Sequence, residues 1–297
     1  MDLHYLKLFD TVASLGSMTK ASEHMHISQP ALSIQIKKLE DGLGLKLFNK
    51  IGTRLILNEN GEILFHYTKQ IFQLVQEASN QLTDRKLTIS GQITIGGSNT
   101  AGSYLLPRII GAFKQLYPQV TIELHIGNTY EIANLIYNDV LDFAINGGDV
   151  AYTSQTQVIP LKEDPLVLVA SPKSDYIEQH PLLPEDLEAA TFIVHQNNSQ
   201  LYLAYKKAIT ELHLEENIAM TLGSIDAIKQ AVAADLGLAF IPYSAALMEL
   251  QLGLLIQLEV KNMHWVYPYN LIYNKSKFLS PATLRLIEMV KEHLGQT

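Results

Sequence analysis

MTKASEHMHISQPALSIQIKKLEDGLGLKLF, Met18 to Phe48, is the stretch on which the reading of this 297-residue chain turns. Helical spacing occurs twice in it: Ala21 and Met25 lie four apart, and Leu32, Ile36 and Leu39 fall at i, i+4 and i+7 on one face. Between them His26-Ile27-Ser28-Gln29-Pro30 is polar and tight. Ser28 suits the N-cap of the second helix, and Pro30 falls in its first turn, where a missing N–H costs nothing. The product is a helix-turn-helix. With Leu32, Ile36 and Leu39 turned inward, Pro30, Ile34, Lys37, Lys38 and Asp41 face outward, with Gln29 and Ser33 at the margin. Gln can pair bidentately with adenine, Ser can donate or accept, and Lys sits on phosphate, so this face suits DNA. An ordinary solvated helix face is the alternative, and periodicity alone does not separate the two.

The flanks extend the unit. Leu3, Leu6, Phe9 and Val12 at helical spacing make a first helix and complete a three-helix core. After Gly42 and Gly44 end the helical pattern, Leu45 to Phe48 and Arg54 to Leu57 read as two short strands around Asn49-Lys50-Ile51-Gly52-Thr53, a wing. Lys50 and Arg54 stand where a wing meets DNA backbone or minor groove, or where turn charges are simply solvated. Asn58 is a good N-cap, with Glu59 and Glu62 at the positive end of the next helix. Leu64, Tyr67, Ile71, Leu74 and Ala78 then alternate spacings of three and four, a coiled-coil seam. From Glu59 to Lys86 that helix would run on the order of 40 Å. It either pairs two subunits or packs only on its own winged domain.

The run from Ala21 through Ser28-Gln29-Pro30-Ala31, Ser33, Ile36, Leu39-Glu40 and Leu43-Gly44 to Leu47-Phe48 closely resembles the DNA-binding segment of LysR-type transcriptional regulators. The resemblance implies that Ser28, Gln29, Pro30, Ser33, Ile34, Lys37 and Lys38 meet double-stranded promoter DNA, with Lys50 and Arg54 contacting it from the wing. It also implies that the long helix forms a homodimer or homotetramer and that RNA polymerase is a candidate further partner; with no export signal visible, a cytoplasmic location is expected. Two positions depart from the family pattern: Ile34 and Lys50 stand where arginine is usual. An outward Ile at the centre of the reading face suits a thymine methyl in place of an arginine–guanine contact.

From Gly91 onward strands and helices alternate. Gln92–Gly96, Val120–Gly127 and Asp142–Asn146 read as strands, with helices near Tyr104–Leu116 and Glu131–Asn138. A second set has strands at Leu166–Ala170, Thr191–Val194, Ala219–Leu222 and Leu238–Ile241, and helices at Leu201–Leu212 and Ile225–Asp235. The expected fold is therefore an N-terminal winged helix-turn-helix, mainly α, a long linker helix, and a two-lobed α/β domain. The family resembles type-2 periplasmic binding proteins in that domain, which implies that the strand Tyr269–Tyr273 and the helix Pro281–Leu294 return to the first lobe, with crossovers near Pro160–Pro165 and Met263–Pro268. The domains are then 1–58, 59–88 and 89–297, the last split into lobe I (89–161 and 267–297) and lobe II (162–266).

Ile95-Gly96-Gly97-Ser98-Asn99-Thr100-Ala101-Gly102-Ser103 joins a strand to a helix, a junction that aims N–H groups and the positive helix end at one point. Gly97 and Gly102 have the spacing of a phosphate loop, but Ser103-Tyr104 replaces its Lys-Ser/Thr. Gly/Ser/Thr turns also serve simply as turns and caps. Asn146-Gly147-Gly148, His195 to Ser199 and Gly223-Ser224-Ile225 also follow strands, where ligands of open α/β sheets collect. The family's effector cleft is lined by equivalent loops, which makes Ser98, Asn99, Thr100, Ser103, Gly148, Gln196 and Ser224 the candidate contacts for a small polar or anionic metabolite. These loops hold no Arg or Lys, so an anion would rest on amides and hydroxyls.

Charge agrees with this division. The net −8 splits into seven Lys/Arg against six Asp/Glu in residues 1–60, three against three in 61–90, and twelve against twenty-one in 91–297. The head is near neutral, with cations clustered at Lys37, Lys38, Lys46, Lys50 and Arg54. Apolar residues at 47% and charged ones at 18% describe a chain with a real core, and no apolar run approaches the roughly 18 residues of a membrane helix. No basic, then apolar, export signal opens the chain. With no cysteine there is no thiolate chemistry. His24 and His26 point to different helix faces with no third ligand, so no metal or other cofactor is expected. HExxH, GxSxG and a dinucleotide fingerprint are all missing, and His195 beside Ser199 reads as polar lining, so no enzyme is expected. The alternative function is a small-solute binding protein of the same lobe fold, which would call for an export signal.

Overall fold

The computed structural model describes residues 2–51, 54–83, 89–178 and 181–295. The chain divides into two compact units, Met1–Thr88 and Ile89–Thr297. In the first, α1 (Leu3–Leu15), α2 (Met18–His24) and α3 (Gln29–Leu43) are each opened by a side chain: Asp2, Ser17 and Ser28 accept from the N–H groups of His4, Lys20 and Ala31. Gly44 closes α3 at φ 68°, a left-handed conformation that suits glycine. Leu6, Phe9, Val12, Ala21, Leu32, Ile36 and Leu39 form the core. Leu8 joins them in place of Leu3, which is 54% exposed. Each fully buried Leu or Phe contributes about 1.5–3 kcal/mol by removal from water.

The wing differs from expectation in register. Its strands are β1 (Phe48–Ile51) and β2 (Arg54–Leu57), antiparallel, with Phe48 opposite Leu57 and Ile51 opposite Arg54. Leu45 to Leu47 is not strand, because its polar groups are used elsewhere. The Glu40 carboxylate accepts from Leu47 N–H at 2.9 Å and holds the Lys46 ammonium at 2.7 Å. The Lys46 and Leu47 carbonyls accept from the side chain and backbone of Asn58. Asn58 Oδ1 in turn caps α4 (Glu59–Thr83) by accepting from Gly61 N–H. A Cβ on Gly61 would collide with the Leu47 carbonyl, which fixes glycine there. The expected continuation of α4 to Lys86 lies outside the described residues.

In the second unit β3 (Gly91–Ser98) pairs in parallel with β4 (Val120–Gly127) and β5 (Phe143–Gly147). The long strand β6 (Thr156–Ala170) runs antiparallel to β9 (Ala239–Pro242), β10 (Ile256–Leu258) and β11 (Trp265–Asn274), and β11 also pairs with β5. A parallel pair, β7 (Phe192–His195) and β8 (Ile218–Leu222), completes the second lobe. The helices are α5 (Leu106–Leu116), α6 (Thr129–Tyr137), α7 (Gln200–Glu211), α8 (Ile225–Ala233), α9 (Tyr243–Gln251) and α10 (Pro281–Leu294). α10 packs on α5 and β3, so the C-terminus does return to the first lobe.

The expected crossover segments fall within paired strands. Pro160–Pro165 lies inside β6 and Met263–Pro268 overlaps β11, paired with each other from Trp265–Leu166 to Asn274–Thr156. Prolines are tolerated there beside a register shift between Pro268 and Asn270. β3 ends in a turn of π-helix, Ala101–Leu105, before α5. A Cβ on Gly97 would lie 2.6 Å from Gly102 Cα, so the glycine pair is what lets this turn fold back on its own strand.

Candidate functional site

Two surfaces carry the polar chemistry. On α3, burying Leu32, Ile36 and Leu39 leaves Gln29, Pro30, Ser33, Ile34, Lys37 and Lys38 exposed together, with Ser28 exposed at the cap. Ile34 is 58% exposed at the centre of this face. The wing base is tied to this helix through Glu40. The side chains of Lys50 and Arg54, and residues Gly52 and Thr53 between them, lie outside the described residues.

The seam on α4 separates into two roles. Leu64 and Ile71, with Phe65 and Phe72, pack on the core of α1 to α3. Thr68 Oγ1 donates to the buried Asp10 carboxylate at 3.1 Å, and Lys69 lies 3.6 Å from it. Ile63, Tyr67 and Leu74 are 55%, 56% and 40% exposed, and Ala78 is exposed beyond them.

The second surface is a narrow cleft in the second unit, with free space of about 20 Å³. Ser98, Asn99 and Thr100 after β3, Asn128 and Thr129 after β4, His195, Ser199 and Gln200 after β7, Ile225 after β8, and Tyr267 of β11 line it. Three α-helices begin here, each with a polar cap. Asn128 accepts from Tyr130 and Glu131 N–H while Glu131 accepts from Asn128 N–H; Ser199 caps α7 and Ser224 caps α8. The positive ends of α6, α7 and α8 therefore meet at one cavity. Ser98 Oγ accepts from Gly147 N–H at 3.1 Å, and Asn146 Nδ2 donates to the Thr129 carbonyl at 3.1 Å, which fixes the floor. Gln200 Nε2 reaches Tyr130 Oη at 3.2 Å. Burial pushes the His195 imidazole below its usual 6.5, partly offset by the Gly223 and Gln196 backbone, so it is neutral near pH 7.

Of the expected cleft residues, Ser98, Asn99 and Thr100 come together, joined by His195 and Ser199. Ser103 and Gln196 are exposed and outside the lining. Ser224 serves as the α8 cap. Gly148, at φ 89°, lines a neighbouring groove with Asp149, Lys207 and Trp265. Trp265, which lines that groove, sits edge-on to Phe240 and donates from Nε1 to Glu211 at 2.8 Å. Asn128 and Thr129 were missed, although Asn128-Thr129-Tyr130-Glu131 has the spacing of a capping box. Gln200 follows the Ser199 cap directly. Tyr267 gives no local signal, because it arrives from the distant β11. Among the described residues no group of three or more His, Cys, Asp or Glu could hold a metal ion, and no helix is long and apolar enough to cross a membrane.

Residues 3–62 match the bacterial regulatory helix-turn-helix model of the lysR family, and residues 88–295 match the LysR substrate binding domain. A probable RuBisCO transcriptional regulator of Cyanophora paradoxa is 35% identical over 285 residues, 94% of this chain and 88% of the relative. A protein of the same description from Synechocystis sp. is 33% identical, covering 97% and 85%. Among solved structures, a full-length single-substitution variant of OxyR from Pseudomonas aeruginosa superposes with TM-score 0.68 at 20% identity, covering 98% of this chain and 94% of that one. CbnR complexed with its target DNA gives TM-score 0.61 at 19% identity, covering 98% and 99%.

Proposed function

This chain belongs to the LysR family of transcriptional regulators, DNA-binding proteins with an effector-binding domain, and from that premise we propose residue-level roles for both surfaces. The exposed face of α3 enters the major groove: Gln29, Ser33 and Ile34 read base edges, while Ser28, Pro30, Lys37 and Lys38 set the docking on backbone. Lys50 and Arg54 hold the wing to adjacent phosphates. Ile63, Tyr67, Leu74 and Ala78 on α4 pair two subunits, so that two heads read a dyad. The working divisions are 1–58 for DNA binding, 59–88 for pairing and 89–297 for sensing. Within the last, the lobes part where β6 and β11 pass between them, near 161/162 and 266/267. Cytoplasmic location and a contact with RNA polymerase at activated promoters belong to the same reading. CbnR, of the same fold, has been solved in complex with its target DNA, which supports the first of these assignments.

The effector sits among Ser98, Asn99, Thr100, Thr129, His195 and Gln200. The carrying observation is the meeting of three helix N-termini in a cavity without Lys or Arg. Such a site favours a small anion held by amides and hydroxyls, with neutral His195 as a further polar contact. Binding shifts the population toward closed lobes and so changes how paired heads engage the promoter. Several relatives are named as RuBisCO regulators, which makes carbon-fixation promoters the first operators to test. The test is footprinting on such a promoter under a metabolite screen. Ser98→Ala with Thr100→Val should abolish the metabolite response and leave metabolite-free DNA affinity within about twofold, and an intact response would remove the cleft assignment.

A further inference from the structure

The two lobes meet outside the cleft at a second place, where a buried lysine is surrounded by groups from three elements. Lys229 on α8 has only 4% of its side chain exposed, and its ammonium lies 2.8 Å from Glu249 of α9, 3.2 Å from Asp226 and 3.1 Å from the Ala245 carbonyl. From the first lobe, the Tyr104 ring covers this ammonium at 4.7 Å, and the Tyr104 hydroxyl donates to Asp226 Oδ1 at 2.7 Å. One phenol thus binds the second lobe by both its ring and its hydroxyl. Burial, then Asp226, holds the phenol well above the usual tyrosine range, so it remains a donor. The same hydrogen bond, with Lys229, holds the Asp226 carboxyl below the usual range.

Placement gives this cluster its consequence. Thr100, on the cleft, leads directly into the π-turn that carries Tyr104, and Ile225, also on the cleft, precedes Asp226 in the first turn of α8. Each half of the contact therefore lies within about one helical turn of a cleft-lining residue. We propose that Tyr104 is a positioning residue for effector binding: it clasps α8 to the first lobe and holds the cleft lips at binding distance without lining the cleft itself. Opening the lobes breaks the clasp, so ligand and clasp favour the same closed population and each strengthens the other. The proposal rests on the cleft being the effector site.

The test uses full-length protein, Tyr104→Phe, and inorganic phosphate as a probe anion, read by hydrogen exchange and thermal unfolding. Tyr104→Phe keeps the ring over Lys229 and removes only the hydroxyl. Exchange in 99–105 and in the first turn of α8 should quicken at least threefold while the melting temperature stays within about 2 °C of wild type. The phosphate concentration that half-protects 128–132 should rise at least threefold. Unchanged exchange at both segments overturns the clasp. Quickened exchange with unchanged phosphate affinity overturns the positioning role, leaving a structural contact only. Phosphate that protects 128–132 equally in wild type and in Ser98→Ala with Thr100→Val overturns the cleft reading on which the proposal stands. Phosphate that protects nothing in wild type overturns the positioning role for anions.

Discussion

Ile34 and His195 are the residues whose chemistry departs most from their surroundings. Ile34 places an aliphatic group at the centre of a polar reading face, which offers a thymine methyl an apolar contact and offers guanine no hydrogen bond. Ile34→Ala should therefore lower discrimination at one position of each half-site by about 1 kcal/mol or more, with other positions unchanged. Binding to a complete set of single-base operator variants checks this, and an unaltered base preference would refute it. His195 is opposite in kind, a titratable group buried at 6% exposure with its pKa depressed by that burial. A depressed histidine pKa means that the unfolded chain takes the proton first as pH falls. The stability it allows is complete above about 6.5 and is lost as pH drops from there toward the folded value. His195→Gln should accordingly lose less melting temperature between pH 7.5 and 5.5 than wild type does. Equal losses in the two proteins would mean that other groups set the acid sensitivity.

The elements show where period and packing part. The seam on α4 was legible as alternating threes and fours, but spacing could not say which members face inward. Leu64 and Ile71 pack on the helices of their own unit, whereas Tyr67 and Leu74 remain exposed. Tyr67→Glu with Leu74→Glu should weaken self-association on the order of a hundredfold or more by setting charge in an apolar contact, while the melting temperature of the monomer changes little. Sedimentation equilibrium on the full chain separates these effects, and a dimer that survives both substitutions would reject the pairing face. The wing makes a similar point. Leu45 to Leu47 has strand composition, yet Glu40 and Asn58 capture its backbone groups, so the paired register begins at Phe48. Long-range hydrogen bonds decided that boundary, and no local pattern records them.

At the scale of the molecule, charge is divided with purpose: a near-neutral head with clustered lysines precedes a strongly acidic sensing region. Affinity for DNA should therefore come from local phosphate contacts. With Lys37, Lys38, Lys50 and Arg54 engaged on each of two heads, the slope of log K against log salt should be roughly −7. A slope near zero in filter-binding titrations would remove the phosphate roles. The amino-acid sequence by itself determined the helix-turn-helix, because its caps, its Pro30 and its i, i+4, i+7 face are local facts enforced within a few residues. It also determined the alternation of strands and helices beyond Gly91, whereas the loop Ser98 to Thr100 became a cleft candidate only through the family resemblance. Only the tertiary structure decided that β6 and β11 run unbroken between the lobes, that Tyr267 reaches the cleft, and that Tyr104 meets Asp226 across 122 positions of sequence. Contacts between distant segments are selected by the closing of the sheet and the packing of its helices, and spacing within one segment carries no trace of the partner it will meet.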